Sequence, residues 1–166
     1  EPRSSSYSYL TRAADGFRFG TDVSTETCQK LLVGARGNLV CGPRSSSYAY
    51  IYNITTGKSM GTDIDIDQCL DLIQSSNRNL FCSPRSSSYS YITRISDAKF
   101  LGTDVDNDTC KKLVRTASST LVCAPRSSSY AYLTRIQTGE TLGSDIEIDE
   151  CIRRISNQYD RSKNRK

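Results

Sequence analysis

The chain of 166 residues contains no histidine. Without an imidazole there is no Ser-His and no Cys-His arrangement, so nucleophilic catalysis of that kind is excluded. The same absence removes His from any structural zinc site. The seven cysteines recur at separations of 13 and 28 residues with no C-x-x-C pair, so they do not supply zinc-ligand spacing either. Large apolar residues are also scarce: Leu, Ile, Val and Phe number 34, about a fifth of the chain. No apolar run approaches the ~18 residues of a membrane span, and no apolar core of a signal peptide stands out. The chain is therefore expected to be a mature, soluble protein without a membrane span.

Ten tyrosines are present instead, and with so few aliphatics they are expected to line a partly polar core, each buried hydroxyl needing a partner. The net charge is +4, too small to argue for disorder. It is unevenly placed. Residues 153–166 carry Arg153, Arg154, Arg161, Lys163, Arg165 and Lys166 against Asp160, which leaves the rest of the chain close to neutral. A general nucleic-acid surface is not indicated; the basic tail is suited to an acidic partner.

The dominant feature is self-similarity. PRSSSYSY at 2–9 returns as PRSSSYAY at 43–50, PRSSSYSY at 84–91 and PRSSSYAY at 125–132, a period of 41 without gaps. Within a copy, Tyr7, Tyr9 and Thr11 alternate with Ser8, Leu10 and Arg12, the period of a strand. A turn at Asp15-Gly16 leads to a second extended run ending in Gly-Thr-Asp-Val, which reads as a β-hairpin. A short amphipathic helix follows, with an Asp or Ser cap and Cys28, Leu31 and Leu32 at i, i+3, i+4. The last strand aligns as NLVC, NLFC and TLVC at 38–41, 79–82 and 120–123, and the prolines at 43, 84 and 125 break the chain after it. The expected fold is α+β: four pseudo-symmetric ββαβ repeats of about 41 residues (1–42, 43–83, 84–124, 125–156) packed as one domain, with 157–166 as the basic tail.

Packing does not obviously require the recurring polar residues Arg3, Arg44, Arg85 and Arg126, or Asp22, Asp63, Asp104 and Asp145. In one reading the Arg and the serines hold an awkward turn, while Asp caps a helix or closes an ion pair. In the other they form four equivalent ligand sites, each offering a cation, a carboxylate and a thiol. DIDID at 63–67 and DVDND at 104–108 look like the opening of a calcium loop, but the loop's glycine and final Glu are absent. The cysteines fall into two sets: Cys28, Cys69, Cys110 and Cys151 on helices, and Cys41, Cys82 and Cys123 at strand ends. Two disulfide frameworks are open: 28–41, 69–82 and 110–123 with Cys151 free, or 41–69, 82–110 and 123–151 with Cys28 free. In a reducing compartment they would be small buried hydrophobes. Covalent attachment of a prosthetic group through thioethers is the third use.

A neutral body free of His and Trp, a basic end, internal pseudo-repeats and repeated Cys with neighbouring Arg and Asp together resemble the chromophore-carrying γ subunits of red-algal phycoerythrin. The resemblance implies a non-enzymatic light-harvesting linker in the cavity of a hexamer of phycobiliprotein α and β subunits, within a chloroplast phycobilisome on the stromal side of the thylakoid. It also implies a linear tetrapyrrole cofactor, phycourobilin or phycoerythrobilin. Its thioethers would fall on Cys28, Cys69, Cys110 and Cys151 and on Cys41, Cys82 and Cys123. The aspartates would face pyrrole N–H groups and the arginines the propionates. The rival reading is a secreted, disulfide-braced, lectin-like repeat protein whose copies bind together through avidity. An assembly protein gripping a neighbour through its basic tail is a third. An enzyme fits least, since four near-identical units offer no convergent catalytic group.

Overall fold

The computed structural model describes residues 2 and 6–164, and side chains as far as Asn157. Arg3, Arg165 and Lys166 lie outside the described residues, and with them one proposed site residue and the end of the basic tail. The chain divides into two compact units, Glu1–Ser75 with Ser83–Ser87, and Ser76–Cys82 with Ser88–Lys166.

The repeat predicted from the sequence is present. The elements run β1 (Tyr7–Ser8), β2 (Val23–Ser24), α1 (Thr25–Gly34), then β3 (Leu39–Pro43), β4 (Tyr48–Asn53), β5 (Ser59–Asp65), α2 (Ile66–Gln74). They continue as β6 (Leu80–Pro84), β7 (Tyr89–Arg94), β8 (Phe100–Asp106), α3 (Asn107–Thr116), then β9 (Leu121–Pro125), β10 (Tyr130–Arg135), β11 (Thr141–Glu147) and α4 (Ile148–Asn164). The first sheet has two strands, β1-β2; the others have three, in the orders β3-β4-β5, β6-β7-β8 and β11-β10-β9. The strand that closes one sequence repeat thus pairs with the hairpin of the next: Cys41 sits opposite Ile51 and Pro43 opposite Ala49. The physical module is three antiparallel strands and a helix, offset from the sequence repeat by one strand.

Each element has a local cause. Ser24 and Asp106 cap α1 and α3 by accepting from the N–H three residues on, and Asp65 caps α2 by accepting from Asp67 N–H. Acids in the first turn, Glu26, Asp67 and Asp108, complement the helix dipole. In β5 the register jumps between the pairs Ala49↔Ile64 and Ile51↔Met60, a bulge built on Gly61. Gly61 has φ +85°, and a Cβ there would lie 2.6 Å from the Pro84 carbonyl oxygen. Only glycine combines that conformation with that approach.

The core differs from the expectation of buried tyrosines. Inward positions of the central strands carry small or aliphatic residues, Ala49, Ile51, Ile92, Ala131 and Leu133, and Leu10 is buried beyond the end of β1. They are joined by Leu39, Val40, Leu72, Ile73, Phe81, Leu113, Val114 and Val122. Tyr7, Tyr48, Tyr89 and Tyr130 are exposed, because the alternation of the strand turns them to the opposite face. The helix lies over the Ala or Ser that follows each of them. A phenol there would need a hydroxyl partner, whereas on the outer face water provides one. The apolar stripe of α1 is also narrower than its i, i+3, i+4 spacing predicts: Leu31 is buried but Leu32 is exposed.

Within each unit, neighbouring modules are joined in the same way. The Arg12 guanidinium forks onto the Asp15 carboxylate at 2.6 and 2.9 Å and donates from its remaining Nη1 to the carbonyls of Ile54 and Thr55, both at 2.8 Å. Eighty-two residues on, Arg94 holds Asp97 and the carbonyls of Ile136 and Gln137. Asn53 and Thr56 stand at the intervening positions. Helices are tied by Lys30 to Asp67 at 2.6 Å and by Lys112 to Asp149 at 3.1 Å. These particular contacts recur every two repeats, while the elements and the disulfides recur every 41 residues.

Candidate functional site

In its second, third and fourth copies the Pro-Arg-Ser-Ser-Ser-Tyr segment is a hairpin loop. Arg44 N–H and Ser45 N–H both donate to the Tyr48 carbonyl, at 2.7 and 3.2 Å, and Ser45 Oγ accepts from the N–H groups of Ser47 and Tyr48. The 126–130 loop repeats every one of these bonds. The third serine contributes its backbone: the carbonyls of Ser6, Ser47, Ser88 and Ser129 accept from Thr25, Ile66, Asn107 and Ile148, the first residues of the four helices. The loop thus holds a helix N-terminus against the sheet, which satisfies a donor that the helix cannot. Ser46 and Ser128 remain exposed.

The bulge glycine brings the repeat's Asp to the loop's Arg. Arg44 Nε donates to Asp63 Oδ2 at 2.7 Å, and Arg126 Nε to Asp145 Oδ2 at 2.7 Å. Each guanidinium also stands over its own tyrosine, 5.6 Å from the rings of Tyr48 and Tyr130. Arg85 is exposed, and Asp22 and Asp104 are half-buried. In the second and fourth copies the Arg and Asp side chains meet each other at the surface, where such pairs contribute little to stability.

The sulfurs do not join them. Cys41–Cys69, Cys82–Cys110 and Cys123–Cys151 are disulfides, with Cα separations of 6.2, 6.0 and 6.0 Å, ordinary spacing for a bridge. Each connects the first strand of a module to its helix, deep in the core. This is the second of the two frameworks open from the sequence, and it leaves Cys28 as a buried thiol. A bonded sulfur has no thiol with which to form a thioether. Of the seven cysteines named as attachment points, Cys28 alone keeps one.

The aspartates of the two calcium-like stretches are spent individually. Asp63 pairs with Arg44, Asp65 caps α2, Asp67 pairs with Lys30 and Asp106 caps α3. Among the described residues no group of three or more Cys, Asp or Glu could hold a metal ion. The strongest electrostatic perturbations belong to the forks that join modules. The Arg12 hydrogen bond, with a further bond from Phe17 N–H, lowers Asp15 from 3.8 to about 2, and the Arg94 hydrogen bond does the same for Asp97.

An open groove of about 460 Å³ lies in the second unit, lined by Thr109, Lys112, Ser128, Ser129, Tyr130, Glu147, Ile148 and Asp149. It offers an ammonium, two acids, three aliphatic hydroxyls and one exposed aromatic face. One pair of repeats earlier the same residue types recur at Thr27, Lys30, Ser46, Ser47, Tyr48, Asp65, Ile66 and Asp67, with the same Lys-to-Asp ion pair. At the odd spacing the pattern fails, since Gln68 and Asp71 replace Thr and Lys. The 41-residue reading missed Lys30, Lys112, Asp67 and Asp149. The signal that finds them is the alternation of SYSY with SYAY, of Lys30 and Lys112 with Asp71 and Arg153, and of Asp15 and Asp97 with Thr56 and Thr138. A comparison of the chain with protein-family models, with curated proteins and with solved structures finds no match.

Proposed function

We propose that this protein is a secreted, non-enzymatic, disulfide-braced binding module that is at least bivalent, as in the lectin-like reading of the sequence. The observation that carries the reading is the groove of Lys112, Ser128, Ser129, Tyr130, Glu147 and Asp149, whose residue types recur 82 residues earlier. Disulfides of this kind persist in oxidising compartments, and three of them hold the modules without demanding a large aliphatic core. An exposed phenol flanked by hydroxyls and carboxylates suits a neutral oligosaccharide. The ring stacks on the C–H face of a sugar while the acids accept from its hydroxyls.

The test is binding of the oxidised chain to an array of neutral oligosaccharides, followed by titration of the best ligand in soluble and in surface-clustered form. Tyr130→Ala removes one aromatic face and leaves the other groove. Clustered ligand should then bind about 100-fold more weakly, the scale of lost avidity, and Tyr48→Ala with Tyr130→Ala should abolish binding. An array without signal, or a double variant that binds like the parent, overturns the proposal. The linker reading now rests on Cys28. An intact mass six hydrogens below that of the reduced chain supports the bridged module, and an added tetrapyrrole mass on Cys28 supports the pigment carrier.

A further inference from the structure

Two stretches of the chain match the acceptor pattern for an N-linked glycan, an Asn followed by any residue but Pro and then by Thr: Asn53-Ile54-Thr55 and Asn107-Asp108-Thr109. Neither belongs to the repeat. The other copies carry Arg12, Arg94 and Arg135 at the place of Asn53, and Thr25, Ile66 and Ile148 at the place of Asn107. A glycan is bulky and polar and needs a root at the surface. The fold treats the two asparagines in opposite ways.

Asn53 is the last residue of β4, opposite Leu39 in the ladder, and only 5% exposed. Its Oδ1 accepts from Asn38 Nδ2 at 2.9 Å and from Thr56 N–H at 3.1 Å. A side chain so enclosed leaves a glycan no path to water. Asn107 is instead the first residue of α3, half-buried, with its N–H given to the Ser88 carbonyl at 2.9 Å. The side chain of Asp108 beside it is 94% exposed. Asn107 Oδ1 accepts from the hydroxyl of Ser90 at 2.6 Å, and Ser90 is fully buried. The branch of the amide that faces inward is therefore the oxygen. A glycosylated asparagine keeps that oxygen as an acceptor, so the bond to Ser90 survives the modification.

We propose that Asn107 carries an N-linked glycan in the secreted chain and that Asn53 does not. The inference rests on the chain being secreted, as proposed. The co-substrate is a lipid-diphosphate-linked oligosaccharide of the secretory pathway. Asn107 Nδ2 attacks the anomeric carbon, and a C–N bond forms as the C–O bond to the diphosphate breaks. The lipid diphosphate leaves, and the amide nitrogen gives up one proton to the transferase. Transfer takes place before α3 forms, because in the fold the Thr109 hydroxyl that the pattern requires already donates to Asp106 Oδ1 at 2.7 Å. Folding then accommodates the product at Asn107. A chain modified at Asn53 could not close β4 and does not reach the secreted state.

The experiment directs the full chain into the secretory pathway of a eukaryotic cell line and collects the secreted, oxidised protein. Intact mass is read before and after peptide N-glycosidase, which converts each glycosylated Asn to Asp. Digestion in heavy-oxygen water followed by a peptide map locates the label. The expected result is a single glycan, lost on digestion, with the label at Asn107 and none at Asn53. Thr109→Val should abolish the mass shift, Thr109→Ser should keep it, and Thr55→Val should leave it unchanged. A secreted chain without glycan, a label at Asn53, or a mass shift that survives Thr109→Val each overturns the proposal. These readouts are independent of the groove. An oligosaccharide array without signal refutes the binding module and leaves the glycan standing, whereas a bare secreted chain refutes the glycan and leaves the module standing. A chain retained in the cell with its cysteines unbridged overturns both.

Discussion

Removing the Cys41–Cys69 bridge as C41A/C69A should cost this protein a large part of its stability. The two residues are separated by 28 positions, and closing a loop of that length in the unfolded chain is worth about 3.5 kcal/mol by chain entropy. Both cysteines are fully buried, so losing their sulfur atoms adds roughly 1–2 kcal/mol of lost packing. The total, about 5 kcal/mol, compares with the whole stability of a small domain. Urea unfolding followed by far-UV circular dichroism reads it directly: with a slope of about 2 kcal/mol per molar, the midpoint should fall by about 2–3 M. All three bridges span the same separation and enclose loops that do not overlap. C82A/C110A and C123A/C151A should therefore cost the same to within about 1 kcal/mol. A variant that unfolds with the parent's midpoint, or three variants that differ by several kcal/mol, would refute the reasoning. Peptide mapping that found Cys28 bonded to Cys41 would refute it at the root.

Gly102→Ala should be far more costly than Gly143→Ala, although both glycines have φ near +80°. At Gly102 the new Cβ would lie 2.5 Å from the Pro125 carbonyl oxygen, while at Gly143 nothing stands within 4 Å. Thermal unfolding should show at least about 3 kcal/mol for the first against about 1 kcal/mol for the second. Ile73→Ala should cost about 2–4 kcal/mol by denaturant titration, whereas Leu32→Ala, at the same helix position but already exposed, should stay within about 0.5 kcal/mol. Arg94→Met strips a fork from Asp97 and donors from two carbonyls and should cost about 1 kcal/mol after solvent screening. In Asp15 and Asp97 the folded pKa of about 2 lies below the ordinary 3.8. Their contribution is complete above about pH 4 and is lost as pH falls from there toward 2. An acid titration of the parent and of Asp97→Asn should differ above pH 4 and converge below pH 2.

How much of this was legible in the sequence depends on the range of the interaction. The 41-residue period, the hairpin and helix of each copy, and the two candidate cysteine frameworks follow from alternation, capping and spacing, which act within a few residues and are written four times. The partner of each strand was not legible. Residues 39–43 look like the end of one repeat, yet they pair with the hairpin that follows, because ladder pairing is settled by which face finds a helix to cover it. That pairing chose between the frameworks, since it set Cys41 beside the helix carrying Cys69.

Tyrosines were assigned inward because aliphatic residues are few. The module instead gathers Leu, Ile, Val, Ala and disulfide sulfur under one helix, while Tyr7, Tyr48, Tyr89 and Tyr130 are exposed and Tyr9, Tyr50, Tyr52, Tyr91 and Tyr132 are half-buried. The Arg and Asp of each copy were visible as a recurring pair of charges, but the contact at 2.7 Å of Arg44 with Asp63 and of Arg126 with Asp145 depends on a bulge whose geometry only the folded sheet supplies. The sequence by itself determined the repeating elements and the residues able to carry charge, sulfur and aromatic faces. Tertiary structure alone decided which of them meet, because strand partners, disulfide partners and the helix that shields each sheet lie tens of residues apart and are chosen together by burial.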